Sequence, residues 1–143
     1  MGVLTDLFIA SPEDLESKDL ALLPLQENGF PAVQAKNIDP SALSSWEELL
    51  TGVRPPEADY EAELSSVFDG GPDSPWVGAV RDQFVEAFAK ASDNQLIDVA
   101  VAWSKEMRAE DEEVIIVQIL KEVRALAIEA RASRRKMYLW TCL

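Results

Sequence analysis

One long apolar helix is the feature that most constrains how this chain can fold. The stretch Glu110–Lys136 opens with acidic residues, continues with an apolar body over Val114–Ala130, and closes with a basic end. This order of charges complements the helix macrodipole at both ends, so it predicts a single helix over 110–136. Apolar residues recur at the i, i+4, i+7, i+11 and i+14 spacing of one helix face, which comprises Ile116, Leu120, Val123, Ala127 and Ala130.

The length of this helix predicts that several surfaces cover it. At about 1.5 Å per residue the segment would be roughly 40 Å long, which is more than a compact domain of this size needs for its own core. Further apolar residues widen its buried face, namely Val117, Ile119, Leu126 and Ile128. We therefore expect helices on more than one side of it, or a homodimer in which a second copy of the chain covers part of it.

Glycine and proline divide the chain into two unlike halves. All of them lie at or before Gly78, so residues 1–78 are punctuated and residues 79–143 form an uninterrupted helical half. A chain of 143 residues with 48% hydrophobic content can bury a core without disulfides or a structural metal. We expect a single globular domain over 1–143.

Short polar caps followed by proline predict three helix starts, at Ser11-Pro12, Asp39-Pro40 and Ser74-Pro75. The second of these helices should end at Gly52, and the third should bury a face running from Val77 to Ala91. Apolar spacing predicts another short helix over Tyr60–Phe68, and the capping box Ser92–Gln95 should open the helix that precedes the long one.

Both ends of the chain are apolar and predict a small sheet. Chain ends normally fray, but Lys136–Leu143 is rich in aromatic residues, so we expect it to pair as a strand with Val3–Ala10. The alternative is that these residues continue the long helix. The predicted fold is therefore mainly α, a bundle of five to six helices with a long C-terminal helix, which a two-stranded sheet from the two ends would close.

The absence of histidine restricts the chemistry that the chain can perform. Histidine is the side chain whose pKa suits proton transfer near neutrality, and it is the commonest metal ligand. The usual histidine-assisted forms of serine, cysteine and metal-dependent hydrolysis are thereby excluded. Cys142 is the single cysteine, so it cannot form an intramolecular disulfide. We expect a protein that is not an enzyme and has neither catalytic residues nor a cofactor.

Two pairs of glutamates have the spacing at which a helix presents carboxylates to a divalent metal. They are Glu13 with Glu16 and Glu110 with Glu113, each at i, i+3. Both pairs lie in the first turn of a predicted helix, where acidic side chains are favoured by the helix dipole alone. We therefore expect no metal site, and these four residues are the candidates for a metal-dependent enzyme if that expectation is wrong.

The formal charge of −13 is placed unevenly along the chain. The 24 acidic and 7 basic residues of Met1–Glu113 give −17, whereas the 2 acidic and 6 basic residues of Val114–Leu143 give +4. A surface of this kind repels phosphate backbones and anionic lipids. We expect neither nucleic acid nor membranes as partners, and a basic protein surface as the partner that fits.

The only basic cluster lies at the end of the long helix. Cations are favoured there because they interact with the last carbonyl groups of a helix, so the structural interpretation of Arg131, Arg134, Arg135 and Lys136 is preferred. Trp76 directly follows a cap proline and should be less buried than the other tryptophans. Arg131, Arg134, Arg135 and Trp76 are the candidates for contact with a partner.

These properties favour a non-enzymatic, strongly acidic protein that engages a basic protein partner. It would either neutralise that partner, in the manner of a nuclease-inhibiting immunity protein, or escort it, as a small acidic chaperone does. The alternatives are a homo-oligomeric structural protein and an all-α carboxylate enzyme that uses a divalent metal. The chain has no basic leader and no apolar run long enough to span a bilayer, which predicts a cytoplasmic location and is typical of bacterial cytosolic proteins.

Overall fold

The computed structural model describes residues 4–17, 31–36, 40–55, 68–69 and 76–142. Helices account for most of these residues. The strands are β1 (Leu4–Ala10), β2 (Ala32–Lys36), β3 (Phe68–Asp69), β4 (Trp76–Ala79) and β5 (Lys136–Cys142). The helices are α1 (Pro12–Ser17), α2 (Pro40–Thr51), α3 (Asp82–Lys90), α4 (Asp93–Glu106) and α5 (Glu113–Ser133), and a 3-10 turn at Glu110–Glu112 precedes α5.

The two end segments pair with each other, as predicted, at the centre of an antiparallel sheet. The strand order is β2-β1-β5-β4-β3, with Leu7 opposite Leu139 and Phe8 opposite Tyr138. The prediction of two strands was wrong, because β2, β3 and β4 extend the sheet to five. The broader prediction is confirmed, since the chain is mainly helical, has a long C-terminal helix and carries a small antiparallel sheet.

Both faces of the central strands are buried, which explains why β1 shows no clean alternation of apolar and polar residues. Leu7 and Ile9 belong to the main core, together with residues from α2 to α5. Phe8 lies on the opposite face, where its ring stacks on Tyr138 at 5.5 Å. Burial on this face also raises the pKa of the Tyr138 hydroxyl above its ordinary value.

Two of the predicted helices were wrong where the structure describes them. Residues predicted to open a helix at Pro75 form β4 instead, and α3 begins only at Asp82. The reason is tertiary: β4 pairs with β5, so Val77 faces Trp140 across the sheet. Phe68 begins β3 rather than ending a helix, and the rest of that predicted helix, residues 60–67, lies outside the described residues.

The long helix is shorter than predicted at both ends. It begins at Glu113 and ends at Ser133, because Arg134 adopts the left-handed conformation with φ of 56° and Lys136 enters β5. At about 1.5 Å per residue its length is roughly 31 Å. The predicted buried face is confirmed, since its five members are at most 5% exposed: Ile116, Leu120, Val123, Ala127 and Ala130.

Neighbouring elements of the same chain cover α5 on two sides. It packs against α3 and α4 on one side and against β1, β2 and β5 on the other. Helices therefore cover one side of α5, and the sheet takes the place of the helices that the sequence predicts on the other side. Val114, Ile115 and Ile128 of the predicted apolar body remain exposed.

The helix boundaries that the sequence predicted from capping residues are largely confirmed. Ser11 and Asp14 cap α1 reciprocally, each backbone N–H donating to the other side chain at 3.2 Å. Ser92 caps α4 through the predicted capping box with Gln95. Gly52 ends α2 with φ of 79°, a conformation that glycine adopts without steric cost.

An aromatic cluster joins α2, α3 and α4. The ring of Trp46 lies 5.4 Å from that of Trp103 and 6.2 Å from that of Phe88. Phe84 continues the cluster, with its ring 4.6 Å from Phe88. Beside it, Glu47 and Arg81 form an ion pair at 3.4 Å in which the glutamate side chain is only 4% exposed.

None of the helices within the described ranges has both the length and the apolar content that crossing a membrane requires.

Candidate functional site

The turn between α4 and α5 gathers acidic side chains at one end of the long helix. We call this segment, residues 106–115, the acidic tip. Its backbone is set by Arg108, which adopts φ of 54°, and by a hydrogen bond of 2.8 Å from the Ala109 N–H to the Ser104 carbonyl. This turn brings together five carboxylates, those of Glu106, Glu110, Asp111, Glu112 and Glu113.

The carboxylates of the acidic tip form no ion pair with any residue that the structure describes. Four of the five belong to exposed residues. Glu113 is half-buried at the first turn of α5, where the helix dipole favours a negative charge. Arg108 is the one cation within the tip, so the segment carries a strong local negative charge.

Large apolar side chains are exposed within the same ten-residue segment. Val114 is 82% exposed, Ile115 is 62% exposed and Met107 is 56% exposed. Single exposed apolar residues are ordinary on protein surfaces, whereas several together mark a candidate interaction site. The acidic tip therefore offers both negative charge and apolar contact area.

A second candidate site lies at the opposite end of α5. A groove of about 340 Å³ opens between the start of α3, the end of α5 and the start of β5. We call it the cationic groove. Its lining residues are Asp82, Val85, Glu86, Ala130, Arg131, Arg134, Arg135, Lys136 and Met137.

The charged groups of the cationic groove differ in how they are paired. Arg135 donates from Nη2 to Glu129 Oε1 at 3.1 Å and from Nε to Ser133 Oγ at 2.8 Å. On the other wall, a hydrogen bond of 2.6 Å from Lys90 lowers the pKa of the Glu86 carboxyl, and the charge of Arg131 lowers it further. Arg131, Arg134 and Lys136 form no ion pair with any described residue.

Three of the four residues that the sequence predicts as partner contacts lie together in the structure. Arg131, Arg134 and Arg135 all line the cationic groove. Trp76 is instead a residue of β4, opposite Thr141, and does not follow a helix cap as predicted.

The glutamates predicted as metal candidates lie on two separate elements. Glu13 and Glu16 belong to α1, whereas Glu110 and Glu113 belong to the acidic tip. Within the described ranges, no three side chains of Asp, Glu or Cys are grouped as metal ligands would be.

The exposed apolar residues of the acidic tip were missed by sequence reasoning. The sequence assigns Val114 and Ile115 to the apolar body of the long helix. A signal was present, because both fall outside the face spaced from Ile116, and a residue off that face at a helix start faces solvent.

Comparison of the chain with protein families, curated proteins and solved structures finds no match. Function is therefore inferred from the surface chemistry of the acidic tip and the cationic groove.

Proposed function

We propose that this protein is a non-enzymatic binding protein that engages a basic protein partner through its acidic tip. The observation that carries the proposal is that carboxylates with no ion pair to any described residue share a ten-residue segment with three exposed apolar side chains, Met107, Val114 and Ile115. Carboxylates attract a cationic surface, and the apolar side chains are removed from water when that surface binds. Binding would neutralise the partner or escort it.

The charge of the whole chain supports the same proposal. A net charge of −13 produces a long-range field that steers a cationic partner toward the protein and raises the association rate. Salt screens such a field, since the Debye length falls to about 8 Å at physiological ionic strength. We expect association with the partner to be fast and to slow down markedly as salt is added.

The exposed side chains supply the part of the binding energy that salt does not remove. Fully burying a valine, isoleucine or methionine side chain contributes about 1.5–3 kcal/mol. Val114, the most exposed of the three at 82%, has the most area left to bury. The partner should therefore carry apolar residues among its lysines and arginines.

The experiment compares two variants that change the net charge equally. Glu110→Lys with Glu112→Lys reverses two charges at the acidic tip, whereas Asp98→Lys with Glu122→Lys reverses two exposed charges elsewhere on α4 and α5. Binding partners are captured on the immobilised protein at low salt, identified, purified, and titrated against each variant by calorimetry.

We expect a basic partner whose affinity falls by about tenfold or more in the tip variant, because each close charge pair contributes on the order of 1.5 kcal/mol or more. The control variant should lose much less. Capture of no basic, salt-sensitive partner, or equal losses in the two variants, would refute the proposal.

A further inference from the structure

We propose that the cationic groove is an anion-binding site for a small ligand that presents a phosphate or carboxylate group. The groove differs in charge from the rest of the molecule, since four cations and two carboxylates line it in a chain of net charge −13. Guanidinium groups match the geometry of phosphate and carboxylate oxygens, with which they form paired hydrogen bonds.

The arginines at this end of α5 are not needed to cap the helix. The Arg134 N–H donates to the carbonyls of Ala130 and Arg131, and the Arg135 N–H donates to Ala130 at 2.9 Å. Backbone groups therefore satisfy these last carbonyls, and no described arginine side chain donates to them. Arg131 and Arg134 also form no ion pair with any described residue, so we expect their guanidinium groups to be available to a ligand.

The carboxylates on the opposite wall leave the groove positive. Glu86 is already held by Lys90, and Arg135 is held by Glu129. Even so, the four cations that line the groove outnumber its two carboxylates, Asp82 and Glu86. An anion would neutralise this excess of positive charge.

The groove has the size of a small-molecule site, and its floor is apolar. Its volume of about 340 Å³ lies within the range of ligand pockets, roughly 300–1,000 Å³. Val85 and Met137 are buried beneath it, and the Val80 N–H, two residues before α3, donates to the Met137 carbonyl at 3.0 Å. The floor is therefore fixed, and it favours a ligand with an apolar portion beside its anionic group.

The backbone of Arg134 supplies a variant that separates binding from folding. Arg134 adopts a left-handed conformation in which glycine is more favourable, so Arg134→Gly should fold at least as well as the native chain. Arg108 has the same conformation at the end of α4 but lies at the acidic tip. Arg108→Gly is thus a matched control that removes one guanidinium from outside the groove.

The test is a titration of the full chain with inorganic phosphate and, separately, with citrate. Amide chemical shifts are followed at constant ionic strength, which sodium chloride maintains. We expect saturable shifts at the groove, and an affinity about tenfold weaker in Arg134→Gly and in Arg131→Gln, since each would lose a charge-assisted hydrogen bond. Arg108→Gly should bind as the native chain does.

The other results of the titration either support the proposal or overturn it. Stronger binding of phosphate or of citrate identifies which of the two groups the natural ligand presents, and either one supports the proposal. Shifts no larger than those caused by chloride, or equal affinity in Arg134→Gly and the native chain, overturn it. None of these variants alters the carboxylates or apolar residues of the acidic tip, so this proposal and the proposed function can fail independently.

Discussion

Two arginines adopt a backbone conformation that usually belongs to glycine. Arg108 has φ of 54° and Arg134 has φ of 56°, each directly after or near the end of a helix. For an L-residue this conformation costs roughly 1–2 kcal/mol. The chain therefore carries some strain at each end of α5, where the two candidate sites lie.

We expect Arg108→Gly to raise the free energy of unfolding by about 0.5 kcal/mol, because relief of the left-handed strain exceeds the added chain entropy of glycine. Urea denaturation would measure the change. As a control, Lys105→Gly places glycine where α4 is still helical, and it should lower stability by about 0.5–1 kcal/mol. Equal effects of the two substitutions would contradict the prediction.

Neighbouring glutamates on α2 occupy opposite environments. Glu47 is buried against Arg81, with 4% of its side chain exposed, whereas Glu48 pairs with Arg54 at the surface, with 41% exposed. Removal of one partner from a buried ion pair leaves an uncompensated charge in the protein interior. At the surface, water solvates the charge that is left without its partner.

We therefore expect Glu47→Ala to lower the free energy of unfolding by about 3 kcal/mol, and Glu48→Ala to lower it by less than about 1 kcal/mol. The two substitutions are adjacent on one helix, so differences in helix propensity cancel. Chemical denaturation of both variants checks the prediction, and similar losses would show that the Glu47–Arg81 pair contributes no more than a surface contact.

At the scale of elements, Arg124 ties α5 to the turn between α3 and α4. Its Nη2 contacts Asp93 Oδ1 at 2.7 Å, and its Nη1 donates to the Ala91 carbonyl at 3.3 Å. The hydrogen bond from Arg124 lowers the pKa of the Asp93 carboxyl, and Lys121 lowers it less. This side chain links three helices through one guanidinium.

We expect the pKa of Asp93 to lie below its ordinary value of 3.8 and to rise toward that value in Arg124→Gln. A lowered pKa in the folded state means that the contact stabilises the protein above pH 3.8 and that this contribution is lost as the pH falls through the folded value. Carboxyl chemical shifts measured against pH test this. Lys121→Gln is the control and should raise the pKa by less.

Apart from the pairing of the two chain ends, the elements that the sequence predicted correctly are those whose signals are local. Capping at Ser92, the stop at Gly52 and the buried face of α5 depend on residues within a few positions of one another. The prediction was wrong for Trp76–Ala79, because this strand forms by pairing with β5, about sixty residues away in the chain.

The candidate sites likewise have some features that are local in sequence and others that depend on tertiary packing. The acids of the tip and the arginines of the groove are each contiguous in sequence, so their clustering could be predicted. The opposite wall of the groove comes from α3, and only tertiary packing places Asp82 and Glu86 there.

On the scale of the molecule, α5 separates two ends of opposite chemistry. The acidic tip lies at its start and the cationic groove at its end, about 31 Å apart along the helix. The net charge nevertheless stays strongly negative, at −13. Mutual repulsion of this excess charge destabilises the compact state when little salt is present.

We therefore expect the melting temperature to rise between about 10 mM and 200 mM sodium chloride, as the Debye length shortens from roughly 30 Å to below 10 Å. Calorimetry would measure it. The variant Glu110→Gln with Glu112→Gln removes two exposed negative charges and should show a smaller rise. A melting temperature that falls with salt would mean that the ion pairs outweigh the repulsion.

The position of β5 determines when the sheet can assemble. It lies between β1 and β4, so neither of these strands can complete its pairing until residues 136–142 are present. The central pairing of the sheet thus joins segments that are about 130 residues apart in the chain, Leu4–Ala10 and Lys136–Cys142. Closing so long a loop costs entropy before its contacts form, so we expect the sheet to be completed late in folding.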